Sequence, residues 1–295
     1  MRSKVDGIIT PAESTMKLIA IVLCALAALA AAEEPIELDY HNNVGVPKAE
    51  ALKQAELAAD FDGTRIVGGS AAALGAYPYM GGLVITLTDG RTSVCGSSLV
   101  SNTRLVTAAH CWRTRNAQAR QFVVVLGSIR LFSGGTRITT NRVEMHGSYN
   151  MNNLNNDVAM IVINSVAYNN NIRNIGLASG TNDYAGTWAW AAGFGLTADG
   201  GNIGNNQFLS HARLQVITNN VCRQTYGSAT VIASTLCISG ANRVSTCNGD
   251  SGGPLAVGNT LIGVTSFGSI RGCQQNQPAG FARVTSFNAW IRARM

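Results

Sequence analysis

The chain has 295 residues, with 22 Lys and Arg against 16 Asp and Glu, a net charge of +6. No basic run or aromatic platform gathers that excess, which argues against a nucleic-acid partner. Seven cysteines are present, but neither a CxxC spacing nor a histidine pair accompanies them, which argues against a metal site.

Residues 18–32 carry no charge and are mostly Leu, Ile, Val and Ala; Lys17 precedes them and Glu33-Glu34 follow. A basic flank, a short apolar core and small residues at its end predict a secretory signal. The run falls short of the roughly 20 residues a spanning helix needs, so no membrane anchor is expected. Met16-Lys17 makes a better start than Met1. The signal is therefore read as 16–32, with 1–15 as an extension ahead of it.

Residues 33–65 form a separate acidic segment with eight acids and three bases, a net charge of −5. Pro47 followed by 48–57 predicts a short helix with proline in its first turn. The segment has too little apolar surface to fold alone. Its charge suits the basic remainder of the chain, and a merely solvated leader accounts for it equally well.

Residues 66–295 suffice for one large core or two small ones. Short apolar runs recur at 82–87, 98–100, 104–106, 122–126, 157–163, 187–191, 212–216, 254–257 and 261–266, with Gly, Asn and Asp between them. That pattern predicts an all-β domain. Gly258-Asn259-Thr260 predicts a hairpin turn between the last two runs. The Asn-rich stretches 150–156 and 169–171 read as loops. The tail 285–295 places Phe287, Trp290 and Ile291 on nearby positions and predicts a closing helix.

Within this domain one stretch carries chemistry: Cys247-Asn248-Gly249-Asp250-Ser251-Gly252-Gly253-Pro254. Glycines let the backbone approach a substrate closely and point N–H groups at one spot beside Ser251. A serine hydroxyl is a weak nucleophile until a base takes its proton. His110, at the end of Leu105-Val106-Thr107-Ala108-Ala109-His110-Cys111, is the candidate base. Asp157, opening the apolar run to Ile163, is the candidate carboxylate that orients it. His146 and His211 belong to no motif and read as surface or packing residues.

These motifs, together with Ile66-Val67-Gly68-Gly69, resemble the chymotrypsin-like serine endopeptidases across 66–295. The order His, Asp, Ser separates this family from other folds that carry the same three groups. The resemblance implies two antiparallel six-stranded β-barrels with the active site between them and a C-terminal helix. It implies Ser251 as nucleophile, His110 as base, Asp157 as orienting acid, and the N–H groups of Gly249 and Ser251 as oxyanion hole. It implies disulfides Cys95–Cys111, Cys222–Cys237 and Cys247–Cys273, with Cys24 lost in the signal. It also makes 33–65 an activation propeptide. Cutting after Arg65 frees the Ile66 α-amino group to pair with Asp250, and no cysteine is left to hold the leader. A paired ammonium has a raised pKa, so its stabilisation is full below the unfolded value near 8 and disappears as pH rises through the folded one.

The resemblance places Ser245 at the floor of the substrate pocket, with Ser266 and Gly268 on its wall and Ala279 near its floor. A neutral floor cannot pair a buried Lys or Arg side chain. Cleavage after large apolar residues, Phe, Tyr and Leu, is expected, with a broad elastase- or collagenase-like specificity as the alternative. Phe267 stands where the family usually has Trp, and Ala279 where Gly is common. The 66–295 domain has 16 Arg, no Lys and six acids, a formal charge of +10. Arginine stays charged where lysine, near pH 10.4, does not. The composition resembles lepidopteran larval midgut chymotrypsins, which implies a monomeric digestive enzyme secreted into an alkaline gut lumen. Protein and peptide substrates, an activating trypsin-like protease and protein inhibitors are its implied partners. No metal or organic cofactor is expected. A non-catalytic protease homologue acting as a binding protein is the alternative outside the enzyme class.

Overall fold

The computed structural model describes residues 33–59, 72–195, 209–243, 245–247 and 249–295. The signal at 16–32 and the Arg65-Ile66 bond lie outside them. The chain divides into two units, Met1–Glu33 and Glu34–Met295. Of the first only Glu33 is described, and it is exposed. Everything below concerns the second.

Seven strands build the first sheet: β1 (Met80–Leu87), β2 (Thr92–Ser101), β3 (Arg104–Thr107), β4 (Ala119–Leu126), β5 (Thr136–Thr140), β6 (Val143–Met145) and β7 (Ala159–Val162), in the order β5-β4-β1-β2-β3-β7-β6. All its pairs are antiparallel. Period-2 alternation decides which face is inside: Leu83, Ile85 and Leu87 of β1 are buried, while Val84 and Thr86 are half-exposed.

The second sheet uses β8 (Gly176–Leu177), β9 (Trp188–Gly193), β10 (Ser210–Ile217), β11 (Thr235–Ile238), β12 (Pro254–Val257), β13 (Thr260–Phe267) and β14 (Ala279–Arg283). Six of these run β12-β9-β10-β11-β14-β13, and the β12–β13 pairing closes the ring. The two-residue β8 adds to β13 in parallel. The β12–β13 hairpin turns at Gly258, whose φ of +56° suits glycine.

The all-β expectation of two barrels is met, with a difference in closure. The second barrel is a ring of six strands, whereas the first is a seven-stranded sheet left open between its end strands β5 and β6. Every apolar run singled out in the sequence contains or overlaps a strand. Strands β5, β6, β8, β11 and β14 were not anticipated. β5 is mostly exposed and polar, β6 and β8 have only three and two residues, and β11 and β14 are buried throughout, so none shows an alternation long enough to mark a strand. The closing helix appears as α3 (Val284–Arg292), with Phe287 and Ile291 buried; α2 (Asn219–Thr230) has no strong sequence signal.

The acidic segment is not merely solvated. One π-helical turn, His41–Gly45, leads into α1 (Val46–Ala59). Ala49, Leu52 and Ala55, three residues apart, are buried on one stripe of α1. Ala49 and Leu52 join a cluster with Met80, Val94, Leu131 and Phe194. A stripe this narrow makes a helix only where another surface completes its burial.

The two barrels touch through backbone. The Gly96 N–H of β2 donates to the Ser251 carbonyl at 2.7 Å. A methyl group on Gly96 would lie 2.8 Å from the Gly253 Cα and 3.0 Å from its nitrogen. Gly96→Ala is therefore expected to force the barrels apart at a cost of ~1–3 kcal/mol. In a domain of this size Tm falls by roughly 2–10 °C, read by calorimetry. Gly147→Ala, exposed and with nothing within 4 Å of the added carbon, should leave Tm unchanged.

Candidate active site

Three chain segments deliver three side chains to the seam between the barrels. β3 ends at Thr107, whose hydroxyl donates to the Gly96 carbonyl at 2.8 Å. A single 3-10 turn, Ala109–Cys111, then turns His110 inward, with the Cys95–Cys111 disulfide at its end. Asp157 stands just before β7, and Ser251 just before β12.

Asp157 is fully buried and accepts three hydrogen bonds. Its Oδ1 takes the His110 backbone N–H at 2.9 Å; its Oδ2 takes the His110 ring at Nδ1 and the Ser266 hydroxyl, both at 2.6 Å. A buried carboxylate is tolerable only when its lone pairs are satisfied in this way. The Nδ1–H···carboxylate bond fixes the tautomer and leaves Nε2 as the basic nitrogen. Sequence reasoning put Ser266 on the pocket wall. It lines the cavity, but its hydroxyl holds Asp157, and no motif in the sequence marks that bond.

The Ser251 loop is pinned on both sides. Gly252 N–H donates to the Thr265 carbonyl at 2.8 Å, and Gly253 N–H to the Asp250 carbonyl at 2.9 Å. Asp250 itself accepts from the N–H of Gly195 at 2.8 Å and of Cys247 at 2.9 Å. Burial pushes its carboxyl above the usual range, and those two N–H groups and the charge of Lys48 pull against that rise. Gly249 has a φ of +100°, which a side chain would strain.

A cavity of about 200 Å³ opens beside Ser251. Ser245, Thr246, Ser266, Gly268 and Pro278 line it, and the Cys247–Cys273 disulfide ties its two walls. Among the described residues its one carboxylate is Glu37, from the acidic segment. Ala279, expected near the floor, is not among the residues that line the cavity. It pairs with Ile238 across β14 and β11 and joins the buried core, so strand geometry turns its methyl away. Gln277 and Pro278 take its place. Phe267 packs edge-on against Tyr226 and covers Gly280. The remaining expected disulfide, Cys222–Cys237, is formed. His146 packs on Phe287 and Trp290, and His211 on Trp190 with a bond to the Tyr77 hydroxyl, both as packing residues.

Among the described residues one cluster of His, Cys and acidic groups is tight enough for a metal: Cys95, His110 and Cys111. The two sulfurs are bonded to each other and His110 to Asp157, so no ligand set remains there.

Two residues of the acidic segment reach the same place, and sequence reasoning missed both. Tyr40 is buried with its ring edge-on to His110, centroids 4.8 Å apart. Its phenol donates to the Val94 carbonyl at 2.8 Å, and it lines the same cavity as Ser251. Lys48 is 4 % exposed and lays its stem over Gly249; a carbon added to Gly249 would sit 3.1 Å from the Lys48 Cε. Their signal, a tyrosine and a lysine in an acidic leader, is indistinguishable from chance in the sequence.

Residues 66–291 match the trypsin family model. The chain is 39 % identical to a collagenase of Hypoderma lineatum over 77 % of its own length and 86 % of the relative's. It is 37 % identical to serine protease 1 of Drosophila melanogaster, covering 77 % and 84 %. The solved structure of HL collagenase superposes with a TM-score of 0.71 at 38 % identity, covering 78 % of this chain and 98 % of that one.

The three bonds on Asp157 predict how reactive Ser251 is. Once residues 33–65 are removed, a sulfonyl fluoride should label Ser251, and Ser251→Ala should abolish labelling. Ser266→Ala removes one hydrogen bond to a charged group, ~1.5–3 kcal/mol. Labelling should slow about tenfold to a hundredfold, measured by mass spectrometry against time.

Proposed function

The chain belongs to the trypsin family of serine proteases, and we propose that it is the zymogen of a secreted digestive endopeptidase that cleaves after large apolar residues. Ser251 attacks the substrate carbonyl. His110 Nε2 takes its proton and returns it to the leaving amine. Asp157 holds the imidazole and stabilises its cationic form. The N–H groups of Gly249 and Ser251 receive the oxyanion. The observation that carries this reading is the buried Asp157–His110 pair, 2.6 Å apart, beside the Ser251 loop. The roles are those of the family's worked mechanism.

The specificity reading rests on the cavity. Among the described residues its only carboxylate belongs to the leader, so those of the 66–295 domain offer no partner there to Lys or Arg. Burying an unpaired cation there would cost about 3–5 kcal/mol. A second reading, broad collagenase-like cleavage, is favoured by the relatives named collagenase.

Zymogen processing, secretion and alkaline habitat complete the proposal. Residues 16–32 serve as signal and 33–65 as propeptide, cut after Arg65 by a trypsin-like protease so that the Ile66 ammonium pairs with Asp250. Three disulfides support an oxidising compartment. Among the described residues no helix is long and apolar enough to cross a membrane. A surface of arginines without lysine suits alkaline gut fluid. Protein substrates follow from the family; protein inhibitors and a monomeric state are part of the proposal.

Chromogenic peptides ending in Phe, Leu, Ala or Arg, assayed from pH 6 to 11 after cleavage at Arg65, test the whole. Fast turnover of Phe or Leu persisting at pH 10 is expected. Because the Ile66 ammonium is stabilising only below its folded pKa, activity should end where that amine deprotonates. An optimum near neutrality would remove the alkaline role. Comparable turnover of Ala would favour the collagenase-like reading, and turnover of Arg by enzyme free of trypsin would overturn the pocket assignment. No turnover with a confirmed Ile66 terminus, once residues 33–65 have been removed, would mean a binding protein.

A further inference from the structure

We propose that residues 33–59 are an intramolecular inhibitor that occupies the cleft from end to end, with Tyr40 packed against His110 beside Ser251, and that they stay bound after the chain is cut. The proposal rests on the serine-protease reading above and adds what the leader does.

The segment is anchored at three places. At one end it is extended. Ile36 bridges Ser269 in antiparallel fashion, the Ile270 N–H donates to the Pro35 carbonyl at 3.2 Å, and the Glu34 N–H donates to the Thr225 carbonyl at 2.8 Å. The Glu34 carboxylate accepts from the Ser269 hydroxyl and lies 3.3 Å from Arg271. Ile36 and Leu38 pack against the cluster that contains Phe267 and Tyr226.

At the far end α1 lies across the first barrel. Besides the buried stripe, the Glu56 carboxylate accepts from the N–H groups of Leu131 at 2.6 Å and Phe132 at 2.9 Å and from the Ser133 hydroxyl at 2.9 Å. Glu56 is 5 % exposed. A carboxylate so fully satisfied by groups outside its own segment marks a fitted contact and not a chance one.

The middle of the segment acts on the chemistry. The Tyr40 ring packs edge-on against His110 and shares the cavity wall with Ser251, and His110 Nε2 is buried without a hydrogen-bond partner among the described residues. One side chain thus crowds the base and fills space beside the nucleophile. The segment also escapes attack. Tyr40 has helical dihedrals, φ −47° and ψ −47°, and the π-helical turn follows at once. No extended peptide is offered to Ser251 at the point of closest approach. Substrates of an endopeptidase need an accessible carbonyl, and a helical turn withdraws it into its own hydrogen bonds.

Two features make the grip tunable. Lys48 Nζ is buried without a hydrogen-bond partner among the described residues, in the field of Asp250, with its pKa lowered by burial to about 8. Buried unpaired cations weaken a contact. His41 is buried with Nδ1 2.8 Å from the Ser93 hydroxyl. Asp39, Arg91 and His110 are the charged or titratable groups that face it. Burial lowers its pKa from 6.5 to about 4, so the bound state needs it neutral. Binding is full above pH 6.5 and weakens about tenfold per unit as pH falls below it, down to about 4.

The test uses the full chain cut at Arg65-Ile66. In the wild type the leader should co-elute with the domain on gel filtration, and activity should lag behind cleavage and rise on dilution. Tyr40→Ala should abolish the lag, with release at least about tenfold easier, as for a buried aromatic anchor. Lys48→Met should lengthen the lag by removing a buried unpaired charge. Holding the cut complex at pH 5.5 should free about tenfold more leader than pH 7.5, and His41→Asn should flatten that dependence. If Tyr40→Ala does not fold, the wild-type dilution and Lys48→Met experiments decide. Wild-type activity that appears in step with cleavage and does not change on dilution overturns the proposal. Absence of activity at every dilution, after the leader has been removed chromatographically, instead overturns the serine-protease reading.

Discussion

The buried Asp157 carboxylate is the constraint on which the rest depends. It cannot sit in the protein interior without donors, and its three donors come from two different barrels. His110 supplies two from the first, and Ser266 on β13 supplies the third from the second. Satisfying one charge therefore fixes how the barrels meet. The same seam is closed by backbone contact between Gly96 and the Ser251 loop, which only glycine permits. The orientation of the imidazole and the position of the serine are thus consequences of one electrostatic demand and one steric one.

Around this seam the leader and the domain solve complementary problems. The leader's narrow apolar stripe is not enough for an independent helix, and the cleft leaves polar and apolar groups that an occupant can satisfy. Glu56, Glu34 and Tyr40 each complete hydrogen bonds of the domain while the domain completes their burial. Lys48 is the exception, a buried ammonium held only by the field of Asp250. Asp250 is itself raised by burial and held by two backbone N–H groups. A better ammonium partner for it is the group that the activation reading supplies, the Ile66 amine, which would form only after the chain is cut.

Much of the site was legible because its chemistry is concentrated in short runs. His110, Asp157 and Ser251 each sit beside an apolar strand, and the structure brings His110 and Asp157 into contact. The strands with alternating or continuous apolar runs were legible too. The polar edge strand β5, the three-residue β6 and the wholly buried β14 were not, because their patterns lack either the period or the length that marks a strand. The assignment of Ala279 to the pocket failed for a related reason: which face a residue presents depends on register, and one position along β14 separates Pro278 on the wall from Ala279 in the core.

By itself the sequence determined the all-β class, the acidic segment with its helix, and the short runs that carry His110, Asp157 and Ser251. These are local properties: residue type, short-range spacing and charge. Only the tertiary structure decided that Ser266 holds Asp157, that the first sheet stays open while the second closes, and that Tyr40 packs against His110. Each of those is a contact between residues far apart in the chain. Its energy depends on burial and direction in space, and no short-range pattern of residues encodes either.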